Sequence, residues 1–193
     1  MNKLVVSQFI TMDGVIESPG GDGDFDRGGW AFRFDRGAEG NAVKLDEVRS
    51  AGALLLGRRT YEGFAAVWPS MRDDVGFADK MNTMPKYVVS SSLERLGWNN
   101  SSLVRGDLVE EVVELKRRTR GDVLVNGSAQ LVRSLAESGL VDEYRLMLYP
   151  IVLGAGKRLF GDTAEAAALR LAEARPMGHE GVILLTYQPA DGK

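Results

Sequence analysis

Ala53 to Pro69, ALLLGRRTYEGFAAVWP, constrains this chain more than any other stretch. Leu54, Leu55 and Leu56 form a short apolar run of the kind a strand needs when both its faces are buried. Gly57 stops that run. From Thr60 the apolar residues Tyr61, Phe64, Ala65 and Trp68 recur at helical spacing until Pro69 closes the segment. The order is therefore strand, glycine turn, helix, with Arg58, Arg59 and Thr60 at the helix start. A helix N-terminus presents unpaired N–H groups and partial positive charge, so two guanidiniums and a hydroxyl there suit a phosphate. The same pattern also fits an ordinary βα turn with solvated arginines.

A second junction has the same form. Asp122 to Val125 reads as a buried strand, Asn126-Gly127-Ser128-Ala129 as a turn, and Leu131, Val132 and Leu135 as the apolar face of a helix ended by Gly139. Ser128 is placed to cap that helix, and Gly127 would let backbone approach a ligand at its start. An ordinary βα turn again accounts for the residues equally well.

Other strands are expected at Leu4–Ile10, Lys86–Ser90 and, weakly, Leu103–Arg105. Helices are expected over 41–50, after Asp73-Asp74, and from Asp107 to Thr119. In the last of these Lys116, Arg117 and Arg118 complement the helix dipole. Beyond Val141 the pattern changes to three strand-like segments, Tyr144–Val152, Leu169–Ala174 and Val182–Tyr187. With no helix needed between them, they are expected to pair antiparallel. Ser90 and Ser91 follow a strand and offer either a serine-rich turn or hydrogen bonds to a phosphate or ribose.

The polar loop 17–29 places Asp22, Asp24 and Asp26 in alternation. It fails as a calcium loop, because Arg27 and Arg33 stand where glycine and a bidentate glutamate are needed. Trp30, Phe32 and Phe34 then bring aromatic bulk beside Asp35, as in a lid or pocket wall. Gly154-Ala155-Gly156-Lys157 lacks the upstream glycine and following hydroxyl of a P-loop.

Composition narrows the function classes. The chain has 193 residues, net charge -3, no cysteine and one histidine, His179. Thiolate metal sites, disulfides and paired-histidine chemistry are excluded, and no metal is expected. A mildly acidic balance argues against nucleic acid, and no apolar run approaches membrane-spanning length. Met1-Asn2-Lys3 runs straight into a strand pattern, so a single cytoplasmic domain over 1–193 is the expectation.

Taken in order, Met12-Asp13-Gly14-Val15-Ile16, Leu56-Gly57-Arg58-Arg59-Thr60-Tyr61-Glu62, Tyr87 to Ser91, Val125 to Ala129, and Leu140 to Glu143 through Pro150, Leu153, Gly154 and Leu159-Phe160 span nearly the whole chain. This set resembles the dihydrofolate-reductase-like superfamily, in the branch containing the C-terminal reductase domain of bacterial riboflavin biosynthesis. The resemblance implies an α/β three-layer fold: a mostly parallel twisted sheet, helices on both faces, and an antiparallel C-terminal hairpin. It implies NADPH at the carboxyl ends of the strands, a location that general rules for open α/β sheets also favour. Carried over by position, Gly57, Arg58, Arg59 and Thr60 would hold phosphates. Ser90 and Ser91 would lie near the ribose, and Asn126, Gly127, Ser128 and Ala129 near the pyrophosphate. Trp30 and Asp35 would be the catalytic pair, with Asp35 orienting or protonating a nitrogen heterocycle and Asp13 as its rival. The activity implied is hydride transfer from NADPH to a small pterin- or aminopyrimidine-like substrate in a homodimer. A non-catalytic nucleotide- or metabolite-binding protein on the same fold is the alternative. The deaminase half that often accompanies the riboflavin reductase is not expected here, since the chain opens on the reductase strand.

Overall fold

A computed structural model describes residues 2–21, 23–161 and 166–190; Asp22 of the acidic loop lies outside them. The elements are β1 (Leu4–Thr11), α1 (Gly37–Ser50), β2 (Ala51–Gly57), α2 (Arg58–Val67), α3 (Phe77–Thr83), β3 (Lys86–Val89), β4 (Ser101–Val104), α4 (Leu108–Arg118), β5 (Asp122–Val125), α5 (Ala129–Glu137), β6 (Glu143–Tyr149), β7 (Leu169–Met177) and β8 (Val182–Pro189). A single turn of 3-10 helix, Trp30–Arg33, precedes α1.

The strands form one eight-stranded sheet in the order β4-β3-β2-β5-β1-β6-β8-β7. The six strands from β4 to β6 are parallel, and β8 pairs antiparallel with both β6 and β7. The expected mostly parallel sheet with an antiparallel C-terminal pair is what the chain forms.

Strand parity distributes the core between two faces. Leu4, Val6, Leu55, Val123 and Val125 point to the side covered by Val112 and Leu115 of α4 and by Leu131, Val132 and Leu135 of α5. The intervening residues Val5, Leu54, Leu56 and Leu124 meet Val48 of α1, Tyr61 of α2 and Met81 of α3 on the other side. A third cluster, with Trp30, Met147, Tyr149, Met177 and Leu184, lies under the first long loop. The central strands β1, β2 and β5 are therefore buried on both faces, which is why their sequences are dominated by apolar runs, whereas β4 at the sheet edge is only partly buried.

Several boundaries differ from expectation for identifiable reasons. The first helix begins at Gly37 rather than Asn41, because the Asp35 carboxylate accepts the Gly37 N–H at 2.7 Å and starts the turn early. The helix after Asp73 begins only at Phe77; Asp73 instead accepts the N–H groups of Val75, Phe77 and Ala78 from outside it. Asp107 caps α4, accepting from the Val109 and Glu110 N–H groups. Lys116 is not dipole complement alone: it is buried and paired with Asp142 at 2.6 Å. Among the described residues no helix is long and apolar enough to cross a membrane.

Candidate active site at the sheet's carboxyl ends

β2 and β5 are adjacent and parallel, with Leu54 opposite Leu124. From β2 the chain turns to one face into α2, and from β5 to the opposite face into α5. Neighbouring strands whose connections diverge in this way open a crevice at their carboxyl ends, the place where open α/β sheets bind ligands. Gly57 and Gly127 each lie three residues past that leucine pair. The two junctions singled out in the sequence therefore meet in one place.

They are also bonded to each other. The Gly57 N–H donates to Ser128 Oγ at 2.9 Å, and the Ser128 N–H donates to Thr60 Oγ1 at 2.9 Å. Ser128 thus does not cap its own helix: its backbone is left-handed, with φ 58°, and its hydroxyl is turned across the crevice. A non-glycine residue in that conformation carries strain and persists only where its surroundings fix it. Gly127, at φ 57°, has no such latitude, since a Cβ there would lie 2.8 Å from Thr60 Oγ1.

A third strand supports the crevice. Gln8 of β1 binds Gly127 through both amide atoms, donating to its carbonyl at 2.8 Å and accepting its N–H at 2.9 Å. Asn126 donates to the Ser7 carbonyl at 2.9 Å. Asn126 therefore ties the turn to β1 through its Nδ2. Gln8 was missed in the sequence; the available signal was a polar Ser7-Gln8 pair inside an otherwise apolar strand.

The cations stand at the mouth. Arg58 and Arg59 are exposed at the start of α2; Arg58 lies 3.6 Å from Glu62, and Arg59 has no ion-pair partner among the described residues. The first-turn N–H groups of α2 and α5 have no intrahelical acceptors, so two helix N-termini and two guanidiniums address the same crevice. Ser90 and Ser91 follow Val89, the register partner of Gly57. Ser90 Oγ is largely committed, accepting from Ser92 and Leu93, whereas Ser91 is exposed.

On the α1 side of β1, Ser7 meets a charged pair from α1. Ser7 Oγ donates to Glu47 Oε2 at 2.8 Å and accepts from Lys44 Nζ at 2.5 Å; Lys44 and Glu47 pair at 2.5 Å. Ser7 and Glu47 are buried. The guanidinium of Arg36 lies over the Phe9 ring at 5.0 Å, and Phe9 meets Tyr149 edge to face. Burial pushes the Tyr149 hydroxyl above its ordinary range, with Arg36 pulling against that rise.

The expected catalytic residues are placed differently. Trp30 is fully buried in the third core cluster, and its Nε1 donates to the Glu17 carbonyl at 2.9 Å. It packs edge to face on Tyr149. Asp35 is exposed on an open cleft that it lines together with Phe32 and Phe34, and one carboxylate oxygen accepts the Gly37 N–H. Asp13 is a clamp. Its carboxylate accepts from Thr11 Oγ1 at 2.7 Å and from the N–H groups of Leu153 and Gly154 at 3.1 and 2.8 Å. The Thr11 hydroxyl first, then those N–H groups, hold its pKa down at about 2. It is ionised at neutral pH and has no proton to give.

That value carries a prediction. A carboxylate with a folded pKa below its ordinary 3.8 contributes stability that is present above pH 4 and lost as pH falls through about 2. Asp13→Asn should therefore destabilise by a constant amount above pH 4, and the gap to the natural protein should close between pH 4 and 2. Urea unfolding across that range measures it; a gap independent of pH would contradict the clamp.

Comparison with known proteins places this geometry. Residues 2–183 match the family described as the RibD C-terminal domain. The Bacillus subtilis protein YyaP, itself uncharacterized, is 26% identical over 188 residues, covering 96% of this chain and 94% of YyaP. A protein of Shewanella sp. PV-4 assigned to riboflavin biosynthesis superposes with a TM-score of 0.69 at 18% identity, over 97% of this chain and 99% of its own. Dihydrofolate reductase of Enterococcus faecalis, solved in complex with NADP(H), gives 0.59 at 16% identity, over 98% and 97%. At those identities the structural likeness is one of fold. With its sheet order, its crevice and a family match over nearly its full length, the chain belongs to the RibD C-terminal domain family.

Proposed function

We propose that this protein is an NADPH-dependent reductase that delivers a hydride to a small planar heterocycle, such as a pterin- or aminopyrimidine-like ring. One observation carries the reading: the junctions at Gly57–Thr60 and Gly127–Ala129 are bonded to each other across a single crevice, with Arg58 and Arg59 at its mouth. The residues fit a dinucleotide. Gly127 lies so close to Thr60 that a side chain has no room, and Gln8 holds its N–H and carbonyl, so the turn is fixed and the first-turn N–H groups of α5 that follow it are the donors a pyrophosphate would meet. The first turns of α2 and α5 would hold the phosphates by backbone N–H groups. Arg58 and Arg59, with Ser91 nearby, would recognise the ribose phosphate that separates NADPH from NADH.

When bound, the cofactor supplies the hydride, and the protein supplies position and charge. Gln8 fixes the Gly127 turn from β1, and the next residue, Phe9, presents its ring to the opposite face. One strand thus links the nucleotide crevice to the cleft beside α1, where the ring to be reduced would lie. Neither Asp13, as a clamped anion, nor Trp30, as a core residue, takes part in proton transfer.

Self-association belongs to the same reading. β7 leaves one edge without a strand partner and exposes Leu171 on it, and a dimer mass in sedimentation would support a partner copy there. The test of function is a fluorescence titration of purified protein with NADPH and NADH. The expected result is saturable NADPH binding in the micromolar range with NADH at least about tenfold weaker, as for one lost phosphate contact. No response to either nucleotide would end the reading. Binding without turnover across pterins, aminopyrimidines and simple carbonyl compounds would favour a nucleotide-binding protein instead.

A further inference from the structure

An open cleft of about 480 Å³ lies beside the start of α1, with Phe32, Phe34, Arg36, Asn41 and Glu180 among its lining residues. Arg36 is fixed on three sides. Its Nε donates to Asn41 Oδ1 at 2.7 Å, its Nη1 to the Tyr149 hydroxyl at 3.4 Å, and its planar head rests on Phe9. Yet it has no ion pair among the described residues, although Asp35 precedes it in the chain. The two carboxylates at the rim are turned to backbone: Asp35 Oδ1 accepts from Gly37, and Glu180 Oε2 accepts from the Asp35 N–H at 2.5 Å. Arg36 Nη2 has no partner among the described residues.

A guanidinium held still, with donors unspent, is a receptor for a planar oxyanion, because its fork matches a carboxylate through two parallel hydrogen bonds. Being already ordered, it gives up little rotamer freedom on binding. Phe32, 73% exposed, is an aromatic surface of the kind a flat ring covers. The polarity is the reverse of what Asp35 alone would offer, which is an acceptor for a protonated nitrogen.

We propose that this cleft binds a small planar aromatic anion, with the oxyanion on Arg36 and the ring against the phenylalanine wall. The proposal narrows the planar ring of the reductase reading to one that carries an oxyanion, which a plain aminopyrimidine lacks, and rests on that reading only for the ligand's being a substrate; binding itself does not require the nucleotide.

Ligand-observed NMR titration without nucleotide tests it, using benzoate, its neutral isostere benzamide, 2,4-diaminopyrimidine and acetate as probes. Benzoate should bind at least about tenfold more tightly than benzamide, as expected for a paired guanidinium. Diaminopyrimidine should be the weaker of the two ring classes, and acetate should not displace benzoate at equal concentration. Arg36→Gln should abolish the preference for benzoate over benzamide while NADPH affinity stays within about twofold. Equal binding of benzoate and benzamide by the natural protein, a preference for diaminopyrimidine, or an unchanged preference in Arg36→Gln would each overturn the proposal. Displacement by acetate would overturn its aromatic part. Because the first comparison uses the natural protein, it stands even if the variant folds poorly. Benzoate binding in a protein that ignores NADPH would remove the reductase reading and leave the cleft assignment intact.

Discussion

Replacing both Arg58 and Arg59 by glutamate should weaken NADPH binding by about 10²- to 10⁴-fold. A hydrogen bond to a charged group contributes roughly 1.5–3 kcal/mol, and two such contacts to phosphate are lost together. The substitutions also place two carboxylates against phosphate at a helix N-terminus, which adds repulsion. Both side chains are exposed and neither belongs to a core cluster, so the fold should survive, with a circular dichroism spectrum and Tm near those of the natural protein. The single changes should differ. Arg58 shares its charge with Glu62 at 3.6 Å, whereas Arg59 has no competing carboxylate, so Arg59→Ala should cost more affinity than Arg58→Ala. Calorimetric titration reads all three. If the double variant binds NADPH within threefold of the natural protein, the arginines are surface charges and the crevice holds no phosphate.

The second large effect is on stability. Lys44→Met should cost about 3–5 kcal/mol, because it leaves the Glu47 charge buried without a counter-ion and with the Ser7 hydroxyl as its remaining partner among the described residues. Glu47 is 5% exposed, and its Oε1 has no hydrogen-bond partner even in the intact protein, so little else there can take up the charge. For a chain of this length that amounts to a Tm lower by roughly 6–20 °C. Replacing both residues, as Lys44→Met with Glu47→Leu, should restore most of the loss, since a buried pair contributes little net stability once desolvation is counted. Urea unfolding of the two single variants and the double forms the cycle. A Lys44→Met variant within about 1 kcal/mol of the natural protein would show that Glu47 is neutral or hydrated.

These residues also mark where sequence reading stops. The Gly57–Thr60 and Asn126–Ala129 junctions were legible because strand, glycine and helix start are consecutive in the chain, and local sterics determine each. The strands followed from apolar runs, and their antiparallel pairing at the C-terminal end from the change of style after Val141; their order in the sheet did not. What could not be read was set by contacts across long sequence separations. Arg36 meets Tyr149, and Ser7 meets Lys44 and Glu47, only after the sheet has formed. Ser128 shows the limit at one atom: the sequence placed its hydroxyl as a cap for the following helix, and tertiary packing turned it to Gly57 instead. The surroundings of Trp30 and Asp35 were hidden for a related reason. Their spacing was readable, but whether each faced solvent or core depended on Tyr149, Glu17 and Glu180, which no local pattern announces.

The bonds joining Gly57, Ser128 and Thr60 have a kinetic consequence. Helices on opposite faces of the sheet are stitched together at their bases before any guest arrives, so the crevice has no hinge of its own to close. Entry should then be a single encounter limited by diffusion and steering, without a slow isomerisation step, and stopped-flow traces with NADPH should be single-exponential with rates that rise linearly with concentration.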